Sequence, residues 1–155
     1  MRVQDLMSQP VVTCHATDSL NTAAMLMWDH DCGALAVVSD DGTLVGMLTD
    51  RDICMAAYTQ GRRLDEIPVN TAMAKQVISA QPDQKLGEVE QLMADNKVRR
   101  IPVVDGDDKP IGLLSVNDLA IESVQPETQM KNGPSKIART LAAICQPRTE
   151  KQQAA

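Results

Sequence analysis

Apolar and polar positions follow one order along this chain and then follow it again. Val11-Val12-Thr13 reads as a short β run, and Thr17-Asp18 opens a predicted helix that continues to about His30. Val37-Val38 lie in a second predicted strand, and Asp40-Asp41-Gly42 supply the Gly and Asp that suit a hairpin turn. A third strand over residues 44–48 runs directly into a second helix. One constant displacement then aligns Met7 with Met73, Val11 with Val77, Leu20 with Leu86, Leu26-Met27 with Leu92-Met93, Gly46 with Gly112, and Asp52 with Asp118. No gap is needed between residues 7 and 119. The second copy has its β run at Val77-Ile78-Ser79, a helix from Pro82-Asp83 to about Asn96, Val103-Val104 in a strand, and a turn at Asp105-Gly106-Asp107-Asp108. The order is β-α-β-β-α, twice.

A unit of roughly 50 residues buries too little surface to stand alone, whereas two copies packed together share a core. The fold class expected is therefore α/β (α+β), two repeats related by a pseudo-two-fold axis. Gly61 fits the residue that stops a helix, which sets the first repeat at residues 1–62 and the second at 63–124. Residues 125–155 read as a linker, an amphipathic helix and a polar tail: Ser135 suits its cap, and Ile137, Leu141 and Ile144 fall on one face.

Composition narrows the function. The chain is 43% hydrophobic, yet its aromatics are only Trp28 and Tyr58. The core must be aliphatic, and stacking platforms for single-stranded nucleic acid are missing. A formal charge of −6 also opposes a phosphate backbone as the main partner. No apolar h-region follows Met1, and no apolar run approaches the roughly 18 residues of a spanning helix. These features lead us to expect a cytoplasmic protein with no membrane and no nucleic-acid partner. Cys14, Cys32, Cys54 and Cys145 form no CxxC and read as reduced thiols.

The candidate chemistry sits where the third strand of each copy meets its helix. Copy one reads Gly46-Met47-Leu48-Thr49-Asp50-Arg51-Asp52, and copy two reads Gly112-Leu113-Leu114-Ser115-Val116-Asn117-Asp118. Thr49 and Ser115 stand at N-caps, where backbone N–H groups and the helix dipole favour an anion. Asp52 and Asp118 follow on the first turn, and a carboxylate there suits a ribose diol. A plain capping box explains the same residues equally well, and duplication alone would preserve it.

The gapless tandem units resemble a CBS domain pair, named after cystathionine β-synthase. The resemblance covers roughly residues 3–123 and is carried by the two Gly-to-Asp segments and by Arg100-Ile101-Pro102-Val103-Val104-Asp105. It implies a cleft between the repeats that binds AMP, ADP, ATP or S-adenosylmethionine as a regulatory ligand, with no cofactor required. It further implies that the hydroxyl touches phosphate, that the aspartate holds ribose, and that the base packs near Val12 and Ile78. Homodimers are the usual assembly in that family. Copy two carries Arg99-Arg100 where copy one has Gly33-Ala34, so the two cavities differ in charge. Arg51 or Arg100 is the expected phosphate partner, and Asn117 takes the place of Arg51 in the second copy. For Arg99 and Arg100, a solvated strand entry is the competing reading.

Other readings carry less. Cys14-His15 and His30-Asp31-Cys32 fall at opposite sheet ends if their strands are parallel, which separates them as metal ligands. Asp105 to Asp108 starts no calcium loop, because the twelfth position is Val116 rather than Glu. No nucleophile–base motif and no GxxxxGK[ST] loop occurs, so no enzyme activity is expected and any effector is a separate chain. Residues 53–58 are apolar all round and residues 23–28 nearly so, which suits helices buried on both sides; for 53–58 the second side suits a homodimer, and for 23–28 burial between the two copies explains the pattern equally well. A ligand-free scaffold joining partners is the alternative, and thiol-based sensing needs an activated cysteine that the sequence does not supply.

Overall fold

In each copy, side chains close the turns that start and stop the elements. In the computed structural model, which describes residues 1–124 and Ala138, strand β1 (Thr13–His15) is followed by a turn in which Asp18 Oδ2 accepts from the His15 amide at 2.8 Å. Asp18 is committed to that turn, so helix α1 (Leu20–Asp29) starts later than expected, with the Ser19 hydroxyl accepting from the Thr22 amide. Strand β2 (Ala34–Val38) and strand β3 (Leu44–Thr49) form the hairpin, and α2 (Asp50–Gln60) leaves β3 without a linker. Gly61 ends α2 in the left-handed region, φ 60°, as the sequence predicts. The second copy gives α3 (Leu86–Asn96), β4 (Arg100–Val104), β5 (Pro110–Ser115) and α4 (Val116–Glu122).

The sheets are ordered β1-β2-β3 and β4-β5. β1 runs parallel to β2, and β2 pairs antiparallel with β3, as β4 does with β5. The run at residues 77–79 forms no strand; only an Ala80↔Val103 bridge remains of the expected parallel pairing. The cause is visible in the register. In copy one the Ala36 amide donates to the Val12 carbonyl at 3.2 Å, and the residue in Ala36's place in copy two is Pro102, which has no N–H.

The repeats exchange their leading segments. A 3₁₀ turn at Val3–Asp5 lies against the second repeat: the Val3 amide donates to the Gln84 carbonyl, Gln4 to Pro82, and Leu86 to Met1. Its counterpart at Val69–Thr71 does the same for the first repeat, with Val69 donating to Asp18, Asn70 to Ala16, and Leu20 to Ile67. Val3 is accordingly buried in the core with Ile101, Val103 and Leu114, while Ile67 and Val69 are buried with Leu20, Leu35 and Leu48. The expected aliphatic core is what the fold contains. The predicted helix at residues 136–145 and the rest of 125–155, Ala138 apart, lie outside the described residues.

Candidate functional site

The same exchange builds a cleft. Ala74, which follows the crossing segment of copy two, bonds both ways with Met47 of β3: Ala74 N–H to the Met47 carbonyl at 2.9 Å, and Met47 N–H to the Ala74 carbonyl at 3.0 Å. This pins the chain that continues through Gln76, Val77 and Ile78 alongside the end of β3. The start of β4 closes the other side. Between them lies a cavity of about 220 Å³. Met47, Ala74, Val77, Ile78, Val98 and Pro102 give it apolar walls, and Thr49, Gln76, Arg99 and Arg100 supply polar groups. The structure thus brings four sequence-predicted residues together: Thr49, Ile78, Arg99 and Arg100.

Arg100 reaches furthest. A Cβ placed on Gly33 of the first repeat would lie 3.3 Å from Arg100 Nη2 and 3.1 Å from Asp50 Oδ2. The guanidinium is therefore carried across the junction to the beginning of α2. Burial pushes the Cys32 thiol up, and the Ala34 backbone hydrogen bond and the Arg100 charge pull it the other way.

Asp52 stands behind Thr49 rather than on the cavity wall. Its Oδ2 accepts from the Thr49 amide at 2.8 Å and the Thr49 hydroxyl at 2.7 Å, while its own amide donates to Thr49 Oγ1 at 3.2 Å. This is a complete capping box. The Asp50 amide donates to the Gly33 carbonyl and the Arg51 amide to Asp50 Oδ1, so all three leading amides of α2 are already bonded. An anion here has to rely on the arginines rather than on bare helix amides. Arg51 is exposed on the first turn of α2 and does not line the cavity.

The second junction repeats the cap. Asp118 Oδ2 accepts from the Ser115 amide at 2.8 Å and its hydroxyl at 2.6 Å. Ser115, Asn117, Asp118 and Val12 are not on the wall of the 220 Å³ cavity. Val12 is half-buried against the first core, and Asn117 is exposed on α4. One contact has no equivalent in copy one: the Ser8 hydroxyl donates to Asp118 Oδ1 at 3.0 Å. Sequence reading overlooked Ser8, Gln76 and Val98. Their repeat partners, Ala74, Pro10 and Cys32, differ from them in chemistry, which was the available signal. Among the described residues no group of three or more His, Cys, Asp and Glu side chains is placed to hold a metal ion. No helix among them is long and apolar enough to cross a membrane.

Comparison with known proteins agrees with this geometry. The family model for the CBS domain matches twice, at residues 3–58 and 65–124. The CBS domain-containing protein YhcV of Bacillus subtilis is 37% identical over 126 residues, 81% of this chain and 88% of that protein. The L-aspartate semialdehyde sulfurtransferase of Methanocaldococcus jannaschii is 30% identical over 118 residues, but these are only 22% of its length. Among solved structures, the CBS domain pair of protein MJ0100, in complex with 5′-methylthioadenosine and S-adenosyl-L-methionine, superposes with a TM-score of 0.70 at 28% identity, covering 77% of this chain and 93% of that one.

Proposed function

This chain belongs to the CBS domain family, as a tandem pair, and we propose that it is a regulatory module that binds an adenosine nucleotide between its repeats and passes that state to a separate protein. The observation that carries this reading is the cavity between β3 and β4, apolar along Val77, Ile78 and Pro102 and cationic at Arg99 and Arg100. An adenine has apolar surface to lie on, and a phosphate has guanidinium groups whose planar donors suit its oxygens. At about 220 Å³ the space is smaller than most ligand pockets, which run roughly 300–1,000 Å³, so the phosphates sit at the open rim. The Thr49 hydroxyl is committed to the helix cap, so the arginines meet the phosphate, and Asp52 Oδ1, which the cap leaves unused, is the acceptor for a sugar hydroxyl. The module itself performs no chemistry: its ligand acts by binding one arrangement of the repeats better than another.

The test is a thermal-shift screen with AMP, ADP, ATP, 5′-methylthioadenosine and S-adenosylmethionine. A nucleotide at a hundredfold excess over Kd raises Tm by on the order of 5–10 °C. Arg100→Ala weakens that nucleotide about tenfold or more. No shift with any of the five overturns the proposal.

The closed capping boxes favour a second reading, in which both junctions serve only to start helices and the pair is a scaffold that dimerises. Trp28 and Tyr58, 83% and 82% exposed in the single chain, with Met25 and Met55, are the side chains such a dimer covers. Under that reading Asp52→Ala costs the same stability with and without nucleotide.

A further inference from the structure

The two aspartates are not equivalent. Both spend one oxygen on their own helix cap, but Asp118 gives its other oxygen, Oδ1, to the Ser8 hydroxyl, whereas Asp52 Oδ1 has no hydrogen-bond partner among the described residues. The reason is a single difference between the leading segments. Ser8 bonds both ways with Leu113, at 2.9 and 3.0 Å, just as Ala74 does with Met47. The backbone frames match, and only the hydroxyl is missing at Ala74. The side chains of Arg99 and Arg100, whose backbone belongs to the second repeat, line the same cavity as Thr49, and Arg100 Nη2 reaches the space beside Gly33 and Asp50.

We propose that Ser8 closes the Asp118 junction to a sugar diol, so that each chain takes a single nucleotide, at the junction of Thr49, Asp52, Arg99 and Arg100. This inference rests on the nucleotide reading above and adds which junction is used and what selects it. A diol approaching Asp118 has to displace a hydroxyl already donating to a carboxylate, a bond of the stronger kind. At Asp52 the second oxygen is free, and Arg99 and Arg100 line the cavity that Thr49 borders.

Reciprocal exchange of one hydroxyl tests this. Titration calorimetry of the full chain with AMP is expected to give one site per chain. Ala74→Ser, which reproduces the Ser8 frame beside Asp52, weakens that site about tenfold or more. Ser8→Ala leaves the first site unchanged and adds a second, weaker one. Circular dichroism melts of both variants without AMP verify that each is folded. Two equal sites in the wild-type chain, or full AMP affinity in folded Ala74→Ser, overturn the inference while leaving the nucleotide reading standing. Absence of binding by AMP and by every ligand of the thermal screen removes both.

Discussion

Single residues carry the sharpest consequences of burial. Cys14 is 2% exposed, and burial, aided by the Asp18 charge, raises its thiol pKa to about 12. Cys54 is exposed on α2. Iodoacetamide near neutral pH is therefore expected to modify Cys54 at the rate of an open thiol and Cys14 only after unfolding, which peptide mapping reads directly. The shift has a definite sign in stability. A group whose folded pKa lies above its unfolded value favours the native state below about pH 9, and that contribution is lost as pH rises towards 12. Alkaline melts should show it, with Cys14→Ala flattening the decline. Equal alkylation of Cys14 and Cys54 in the folded chain would refute this burial. The upward shifts at Cys14 and Cys32 both run against the thiol-sensing alternative. The sequence displayed the four cysteines but not their surroundings, which only packing supplies.

At the scale of elements, the two glycines that open the junction motifs find their reason in the crossing segments. A methyl group on Gly46 would stand 2.5 Å from Met73 Sδ and 3.0 Å from the Ala74 carbonyl oxygen, and one on Gly112 would stand 2.5 Å from Met7 Sδ and 3.2 Å from the Ser8 carbonyl oxygen. The methionine tails can swing aside, but the carbonyls are held in the backbone pairs with Met47 and Leu113. Gly46→Ala is therefore expected to cost about 1–3 kcal/mol of stability, measured by urea denaturation. A loss below about 0.5 kcal/mol would mean that the crossing segment yields easily. The sequence displayed these glycines as part of a motif without saying what approaches them. It did reveal the repeat, three strands of the first copy, both hairpins and all four described helices, because their periodicity and turn residues are local signals. The helix starts were less legible, since Asp18 serves equally well as a cap or as a turn acceptor. The missing parallel strand depends on Pro102, whose effect appears only once its register opposite residues 78–80 is known. At the candidate site, Thr49 was legible in the duplicated motif, Arg99 and Arg100 in the departure of the second copy from the first, and Ile78 only through the family resemblance. The Ser8 contact could not, because it joins residues 110 apart in the chain.

For the whole molecule, the exchange of leading segments makes the two cores interdependent. Val3 is fully buried in the second core and Val69 in the first. Val3→Ala removes about two methylenes' worth of contact and is expected to cost about 2 kcal/mol. The loss should be felt in both halves, because the segment that follows Val3 leads straight into β1. Hydrogen exchange at the Leu48 and Leu114 amides is then expected to accelerate together, and acceleration confined to Leu114 would show that the halves open separately. The crossing also determines where a pull on the polypeptide is felt. Traction applied at Met1 does not load the strand that follows it in sequence; it draws first on Val3, seated among Ile101, Val103 and Leu114. A fusion attached ahead of Met1 is thus mechanically grafted onto the later half of the protein, and the connection nearest in numbering is not the one that bears the strain.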